Sequence, residues 1–270
     1  MNELRKYASL FRMRFLNGLQ YRAAALAGLA TQFAWGFLLI LLYRAFYRAD
    51  PGALPMEFSA LVSYTWLQQA FLALYMTWFF ENDIFEAITG GNIAYELCRP
   101  VDLYAVWFSR SAAARVVRAS LRCVPVLLVA VLLPDPFRLS PPAEWRTLGP
   151  FLLSMVLGLL VMVACTMLVY ILSFYTISPR GLRIVAMSLM DFFSGQLLPL
   201  PFLPDGLRQV LELLPFASIQ NVPFRVYSGD IGGADALIRI GLQGVWLAAL
   251  VLLGRVLMRR ALRRVVVQGG

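Results

Sequence analysis

Few residues in this chain could do chemistry, and their types exclude several kinds of active site. The 270-residue sequence has no histidine, so it cannot form a Ser-His-Asp triad or a histidine-ligated metal site. Its cysteines, Cys98, Cys123 and Cys165, are widely spaced and predict neither a disulfide framework nor a metal site. The only lysine is Lys6, and no glycine loop precedes it, which excludes ATP hydrolysis by a P-loop. We expect no catalytic residue, no metal and no cofactor on this chain.

One carboxylate, Asp191, lies inside an apolar segment, where an ionised group is costly. Three arginines, Arg115, Arg118 and Arg122, recur at helical spacing on one face of another apolar segment. We predict that Asp191 forms a buried ion pair with Arg122, which would fix the packing of the two segments. The alternative is that Asp191 faces a transport pathway and contacts a cationic substrate or a proton.

Two apolar segments also carry polar side chains at helical spacing, one around residue 68 and the other around residue 191. Polar residues in a membrane-spanning helix tend to face the bundle interior or a water-filled cavity. The predicted pathway-lining residues are Thr65, Gln68, Gln69, Ser188, Asp191 and Ser194. The alternative for each residue is hydrogen bonding between helices without substrate contact.

Residues 81–100 are more acidic than the rest of the chain and contain a glycine pair. Their apolar side chains fall on one side of a short helix, their carboxylates form a negative rim, and the glycines end the helix. Such a helix is suited to insert into a groove on a cytoplasmic partner. The predicted contact residues are Asp83, Ile84, Phe85, Glu86, Ile88, Gly90 and Gly91. The alternative is a solvated loop that neutralises nearby arginines.

Composition indicates that lipid is the solvent, because 60% of the residues are apolar and only 14% are charged. A spanning helix needs roughly 20 apolar residues. The candidate spans are Ala23–Tyr43, Phe58–Phe80, a segment that ends at Leu133, Phe151–Tyr175, Gly181–Pro201 and Ala236–Met258. We therefore predict an all-α membrane protein with six transmembrane helices, formed as a single domain over residues 1–270.

The distribution of basic residues predicts the orientation of these spans. The net charge is +9, but the basic residues lie in short tracts between apolar runs, so we expect no nucleic-acid partner. With both termini in the cytoplasm, 17 of the 24 basic residues fall inside and seven outside, as the positive-inside rule requires. Residues 81–100 are then cytoplasmic, and the long connection at residues 202–235 is external. Residues 1–22 predict an amphipathic helix in the membrane interface, or alternatively a helical extension in the cytosol.

The pattern Glu86-x-x-x-Gly90-x-x-Ile93-x-x-x-Leu97-x-x-Pro100 resembles the coupling-helix region of ABC-2-type transporter permeases. The stretch from Ser194-Gly195 through Pro199-Leu200-Pro201 to Tyr227-Ser228-Gly229 is similar to the later part of the same family. The resemblance covers nearly the whole chain. It implies an ABC-2 exporter-like fold, with short re-entrant helices between spans five and six.

The resemblance also implies how the chain works and with what partners. Two ATPase subunits, which carry ATP and Mg, would bind at residues 81–100, and a second permease, identical or paralogous, would complete the pathway. In the family, spans two and five line that pathway. The expected activity is export of an amphipathic compound, antibiotic, lipid or glycan precursor across the bacterial cytoplasmic (inner) membrane, with membrane lipids as neighbours. The alternatives are a proton-coupled secondary transporter that uses Asp191, or a non-transporting membrane scaffold.

Overall fold

The computed structural model describes residues 22–50, 52, 55–142 and 144–264, together with the isolated positions 9, 12, 13 and 16. The regular structure of these residues is helical, and none of them forms a strand. The helices are α1 (Arg22–Ala49), α2 (Phe58–Ala70), α3 (Leu72–Tyr75), α4 (Asn82–Thr89), α5 (Ile93–Leu97), α6 (Leu103–Leu132), α7 (Leu148–Ser173), α8 (Pro179–Phe193), α9 (Asp205–Leu213), α10 (Asn221–Tyr227) and α11 (Gly233–Leu262). The predicted interfacial helix at residues 1–22 falls almost entirely outside the described residues.

Within the part of the chain that the structure describes, three segments combine the length and the apolar composition needed to cross a membrane: Gly28–Ala49, Trp145–Ser173 and Gly233–Leu262. The middle one contains α7, which carries no charged side chain between Leu148 and Ser173. A helix that is apolar on every side is stable in a protein core or in lipid, and its contacts place α7 at the centre. It packs against α6, α10 and α11, and most of its side chains are buried.

Helix α6 contains the third predicted span and ends at Leu132, one residue before the predicted end. The helix begins much earlier than that span requires, at Leu103, and has 30 residues. At about 1.5 Å per residue it is about 45 Å long, which exceeds the roughly 30 Å of a hydrocarbon core. One continuous helix therefore carries Arg110 as well as the three arginines of the predicted stripe.

The second and fifth predicted spans are not continuous helices, and this corrects the sequence-based expectation. The expected helix Phe58–Phe80 is divided into α2 and the single turn α3, and residues 76–81 are not helical. The expected helix Gly181–Pro201 ends at Phe193. Gly195 then adopts a φ of 79°, which a helix cannot continue, and the prolines at 199 and 201 lack the backbone donor that a helix needs.

The connection at residues 202–235 contains the two short helices α9 and α10. Leu211 of α9 forms a small hydrophobic cluster with Leu200 and Ala217, apart from the main core. The carboxylate of Glu212 forms ion pairs with Arg225 of α10 and with Arg239 of α11. These contacts join the connection to the start of the last long helix.

Candidate coupling segment and pathway

The apolar side of α4 faces the interior of this chain. Ile84 is 0% exposed and Phe85 is 4% exposed. The ring of Phe85 packs on Tyr170 of α7, with 5.0 Å between ring centroids, and on Phe80, with 5.9 Å. The amphipathic helix therefore buries these side chains in its own protein. This corrects the prediction that Ile84 and Phe85 insert into a groove on a partner.

The opposite side of α4 is accessible and polar. Asp83, Glu86, Gly90 and Gly91 are exposed, and Ile88 is half-buried. Gly91 adopts a φ of 75°, in the left-handed region that ends many helices, so the prediction that the glycine pair ends this helix is confirmed. A partner on this side would meet a rim of carboxylates and a glycine turn.

An arginine of α6 ties the start of α4 to that long helix. The Arg110 guanidinium forms an ion pair with Glu81 and another with Asp83, whose Oδ2 lies 2.6 Å from its Nη2. Ser111 donates a second hydrogen bond to Glu81, at 3.2 Å. The backbone N–H of Glu81 in turn donates to the Tyr170 hydroxyl of α7, at 2.8 Å.

A second arginine ties α4 to α8. Arg183 donates to Oδ1 of Asn82 at 3.2 Å, and its guanidinium lies 5.2 Å from the ring centroid of Phe80 and 5.0 Å from that of Phe85. A cation over an aromatic face is attracted by the ring. Displacement of α4 would therefore move α6 and α8 together.

Arg115 of α6 explains the break in the second predicted span. Its side chain is fully buried. Its Nη1 donates to the carbonyls of Leu74 and Met76 at 3.2 and 2.7 Å, and its Nη2 donates to the Phe79 carbonyl at 3.1 Å and to Oγ1 of Thr166 at 3.2 Å. Carbonyls at the end of a helix lack an intrahelical donor, and the fork of the guanidinium supplies several donors at once.

Asp191 does not form the predicted ion pair with Arg122 among the described residues. The half-buried carboxylate of Asp191 instead accepts a hydrogen bond from Thr77, at 2.5 Å. The Arg122 guanidinium lies against α1, where a methyl group added to Gly28 would come within 2.9 Å of it. The break after α3 explains the difference, because it brings the Thr77 hydroxyl to α8.

The polar side chains of α2 are buried between helices. Thr65 donates to the Leu61 carbonyl of its own helix at 2.8 Å, and Nε2 of Gln68 donates to the Gln196 carbonyl at 2.8 Å. The Gln69 side chain is also buried. In this conformation the predicted pathway-lining residues of α2 therefore pack against the residues that follow α8.

The polar side chains of α8 have mixed surroundings. Ser188 is exposed, Asp191 is half-buried, and Ser194, immediately after the helix, is 1% exposed. Met190 is the one buried side chain of α8, whose neighbouring positions are open.

Residues 28–269 match the family described as ABC-2 family transporter protein. The chain belongs to the ABC-2 transporter family. No curated protein matches the sequence. The family assignment made from the residue patterns is thus confirmed, and with it the membrane character of the chain. Membership of the ABC-2 family also implies association with ABC ATPase subunits.

Three arginines of this ABC-2 protein have contacts that the residue patterns did not predict. From the sequence, Arg110 and Arg183 were predicted only to orient the spans by their charge, and Arg115 only to share one helix face with Arg118 and Arg122. A signal was present in the acidic start of the 81–100 segment, because two carboxylates in an otherwise basic protein need partners. The acceptor of each arginine could not be predicted, because the sequence did not show that the helix ends after α3.

Proposed function

We propose that this chain is the permease subunit of an ATP-driven exporter and that ATPase subunits contact it on the exposed side of α4. The observation that carries the proposal is the position of α4, whose carboxylate rim is accessible while Arg110 and Arg183 tie the same helix to α6 and α8. The complete exporter contains two ATPase subunits, which bind ATP and Mg, and a second permease, identical or paralogous. The chain crosses the bacterial cytoplasmic membrane six times and has both termini in the cytoplasm.

The buried apolar side of α4 defines what an ATPase would recognise. Asp83, Glu86 and the glycine turn are accessible, so the contact is electrostatic and polar at its centre. Basic side chains on the ATPase would complement the carboxylates. The apolar residues Ile84 and Phe85 act differently, because they fix α4 to the membrane helices so that a push on the rim is transmitted.

The pathway would form where α2 and the stretch after α3 meet α8 and the residues that follow it. Arg183 leads from α4 to α8, and Asp191 lies two helical turns further along the same helix. The hydrogen bond between Asp191 and Thr77 joins α8 to the non-helical stretch that interrupts the second predicted span. Movement of α8 would therefore separate Asp191 from Thr77 and expose the polar stripe of α2. The short helices α9 and α10 would act as re-entrant helices that close the outer end.

The transported compound would be amphipathic, since the segments near Asp191 combine polar side chains with exposed aromatic rings. Trp78 and Phe192 are 43% and 49% exposed, and each is the sequence neighbour of a residue in the Thr77–Asp191 hydrogen bond. An antibiotic, a lipid or a glycan precursor has suitable chemistry. Export from the cytoplasm or the inner leaflet is the direction that we propose.

The test replaces one residue of the rim and one matched residue elsewhere. Glu86→Arg reverses a rim charge, and Glu144→Arg reverses an exposed charge far along the chain. The permease is co-expressed with its ABC ATPase, and both the recovery of the ATPase and ATP-driven export are measured. We expect Glu86→Arg to abolish both and Glu144→Arg to change neither. Full recovery of the ATPase with Glu86→Arg would exclude the rim as its contact.

A proton-coupled transporter is the second candidate, and the surroundings of Asp191 favour it over the remaining alternative of a scaffold. The carboxylate is bonded to a hydroxyl rather than to an arginine, so it is available for a proton or a cation. This function predicts transport without an ATPase and loss of transport with a protonophore. Transport that continues in the presence of a protonophore and stops without ATP would exclude it.

A further inference from the structure

A cavity of about 320 Å³ lies beside the glycine turn that ends α4. Thr89 and Gly91 form one wall, and residues 173–177, at and after the end of α7, form another. Arg264, two residues beyond the end of α11, forms a third side. The volume is near the lower limit of roughly 300 Å³ for a small-molecule site, so the cavity suits a single side chain or a lipid headgroup better than a large solute.

The surroundings of the cavity place it outside the hydrocarbon of the membrane. Thr89 and Gly91 are exposed and belong to the same turn as the accessible rim of α4, which carries Glu86. Arg260 and Arg263 are exposed beside Arg264. Exposed charges of this kind are costly in hydrocarbon, so the cavity opens to water on the side of the membrane where α4 lies.

The segment after α7 exposes apolar side chains at the cavity. Ile177 is fully exposed and Tyr175 is 44% exposed. Both line the cavity together with the Arg264 guanidinium, which lies 5.5 Å from the centroid of the Tyr175 ring. Apolar and aromatic side chains next to an arginine are typical of protein–protein interfaces.

The polar groups of the cavity favour a carboxylate as the group that enters it. The hydroxyls of Thr89, Ser173 and Thr176 each donate to a backbone carbonyl of their own chain, at 2.9, 2.6 and 3.3 Å. Arg264 is the one cationic side chain among the described residues that line the cavity. One guanidinium can hold a carboxylate with two parallel hydrogen bonds, whereas recognition of anionic lipid uses clusters of basic side chains. The neighbouring Arg260 and Arg263 do not line the cavity.

We propose that the ATPase inserts an acidic side chain into this cavity, where it pairs with Arg264, and covers Ile177 with an apolar side chain. The proposal rests on the proposed function, because it makes the cavity a second part of the contact that begins at the rim of α4. The two parts have opposite charge, since the rim binds basic side chains of the ATPase and Arg264 binds an acidic one. Opposite charges on the two sides of the glycine turn fix the orientation of the ATPase and disfavour an ATPase with another charge pattern.

The first experiment measures the Kd of the purified ABC ATPase for the full-length permease in phosphatidylcholine nanodiscs. Arg264→Glu reverses the charge in the cavity, and Arg263→Glu is the matched control at an exposed position outside it. We expect the Kd to rise about tenfold or more with Arg264→Glu and less than about twofold with Arg263→Glu. Ile177→Ser should raise the Kd about fivefold or more, because an apolar contact is lost. Equal Kd values for the two arginine variants, or an unchanged Kd with Ile177→Ser, would overturn the proposal.

The second experiment tests whether a lipid occupies the cavity instead. The Kd measurements are repeated in nanodiscs that also contain anionic phosphatidylglycerol. An equal effect of Arg264→Glu in both lipid mixtures is the result that we expect. An effect that appears only with phosphatidylglycerol would assign the cavity to lipid and overturn the proposal.

Glu86→Arg, measured in the same assay, separates this proposal from the proposed function. If Glu86→Arg raises the Kd and Arg264→Glu does not, the contact at the cavity is excluded and the contact at the rim stands. If Arg264→Glu raises the Kd and Glu86→Arg does not, the rim is excluded and the contact at the cavity stands. An unchanged Kd with both variants would overturn both.

Discussion

Replacement of Arg115 by methionine should strongly destabilise the protein. The substitution removes the four hydrogen bonds of the guanidinium and leaves the carbonyls of Leu74, Met76 and Phe79 without donors. Each unsatisfied buried carbonyl costs about 1–3 kcal/mol, so three of them would cost about 3–9 kcal/mol. Because the non-helical stretch 76–81 can relax, we expect the lower part of that range, a loss of about 3–5 kcal/mol in the free energy of unfolding.

The assay is thermal unfolding in detergent, followed by tryptophan fluorescence. For a chain of this size the loss corresponds to a fall of about 6–20 °C in the melting temperature. Arg118→Met is the matched control, one helical turn away. The Arg118 side chain is exposed and lies 3.6 Å from the ring centroid of Phe79, a contact worth about 0.5–1 kcal/mol at such a site. Arg115→Lys should fall between the two, because an ammonium keeps the charge but cannot reach four acceptors in one plane.

The result that would refute this reasoning is an equal melting temperature for Arg115→Met and Arg118→Met. Such a result would mean that the carbonyls of residues 74–79 find other donors when the guanidinium is removed. The break after α3 would then be a property of the local sequence rather than of its bonds to α6.

Three further predictions concern packing and coupling. Gly158→Ala should destabilise the protein by about 1–3 kcal/mol, because the added methyl group would overlap the Ile219 carbonyl oxygen. Gly149→Ala on the same helix is the control, since a methyl group there has open space. Equal melting temperatures for the two variants would contradict this close approach. Arg183→Gln should lower export about fivefold or more at unchanged ATPase recovery, because it removes the contacts of α8 with Asn82, Phe80 and Phe85. Arg180→Gln is the control, since Arg180 is exposed on the same helix. Parallel loss of ATPase binding in Arg183→Gln would argue against a role of Arg183 in transmitting movement. Glu212→Gln should lower the melting temperature, because the Glu212 carboxylate neutralises Arg225 and Arg239. Asp205→Asn is the control, since it affects only a more exposed pair with Arg208. Equal effects of the two changes on the melting temperature would show that the ion pairs of Glu212 add no stability.

The features predicted well from sequence depend on local chemistry. The end of α6 before Pro134 and the end of α4 at the glycine pair follow from residues that cannot continue a helix. The small residues Ser154 and Gly158 permit a close approach of another segment, and the carbonyl of Ile219 lies against Gly158.

The features predicted poorly depend on contacts between distant segments. Amphipathic spacing correctly predicted that Ile84 and Phe85 share one side of α4, but spacing cannot tell a partner's groove from the protein's own interior. The pairing of Asp191 with an arginine assumed that the second span is a continuous helix. Its break brings Thr77 to Asp191 and the carbonyls of residues 74–79 to Arg115, and nothing in the apolar composition of Phe58–Phe80 predicts a break there.

Crosslinking in living cells tests the central claim most directly, that an ATPase contacts the exposed side of α4. A photo-reactive amino acid is placed at Glu86 and, in a separate variant, at Glu144, and crosslinked proteins are identified by mass spectrometry. We expect an ABC ATPase to be crosslinked at position 86 and not at position 144. Absence of an ATPase at position 86, or equal crosslinking at both positions, would contradict the account.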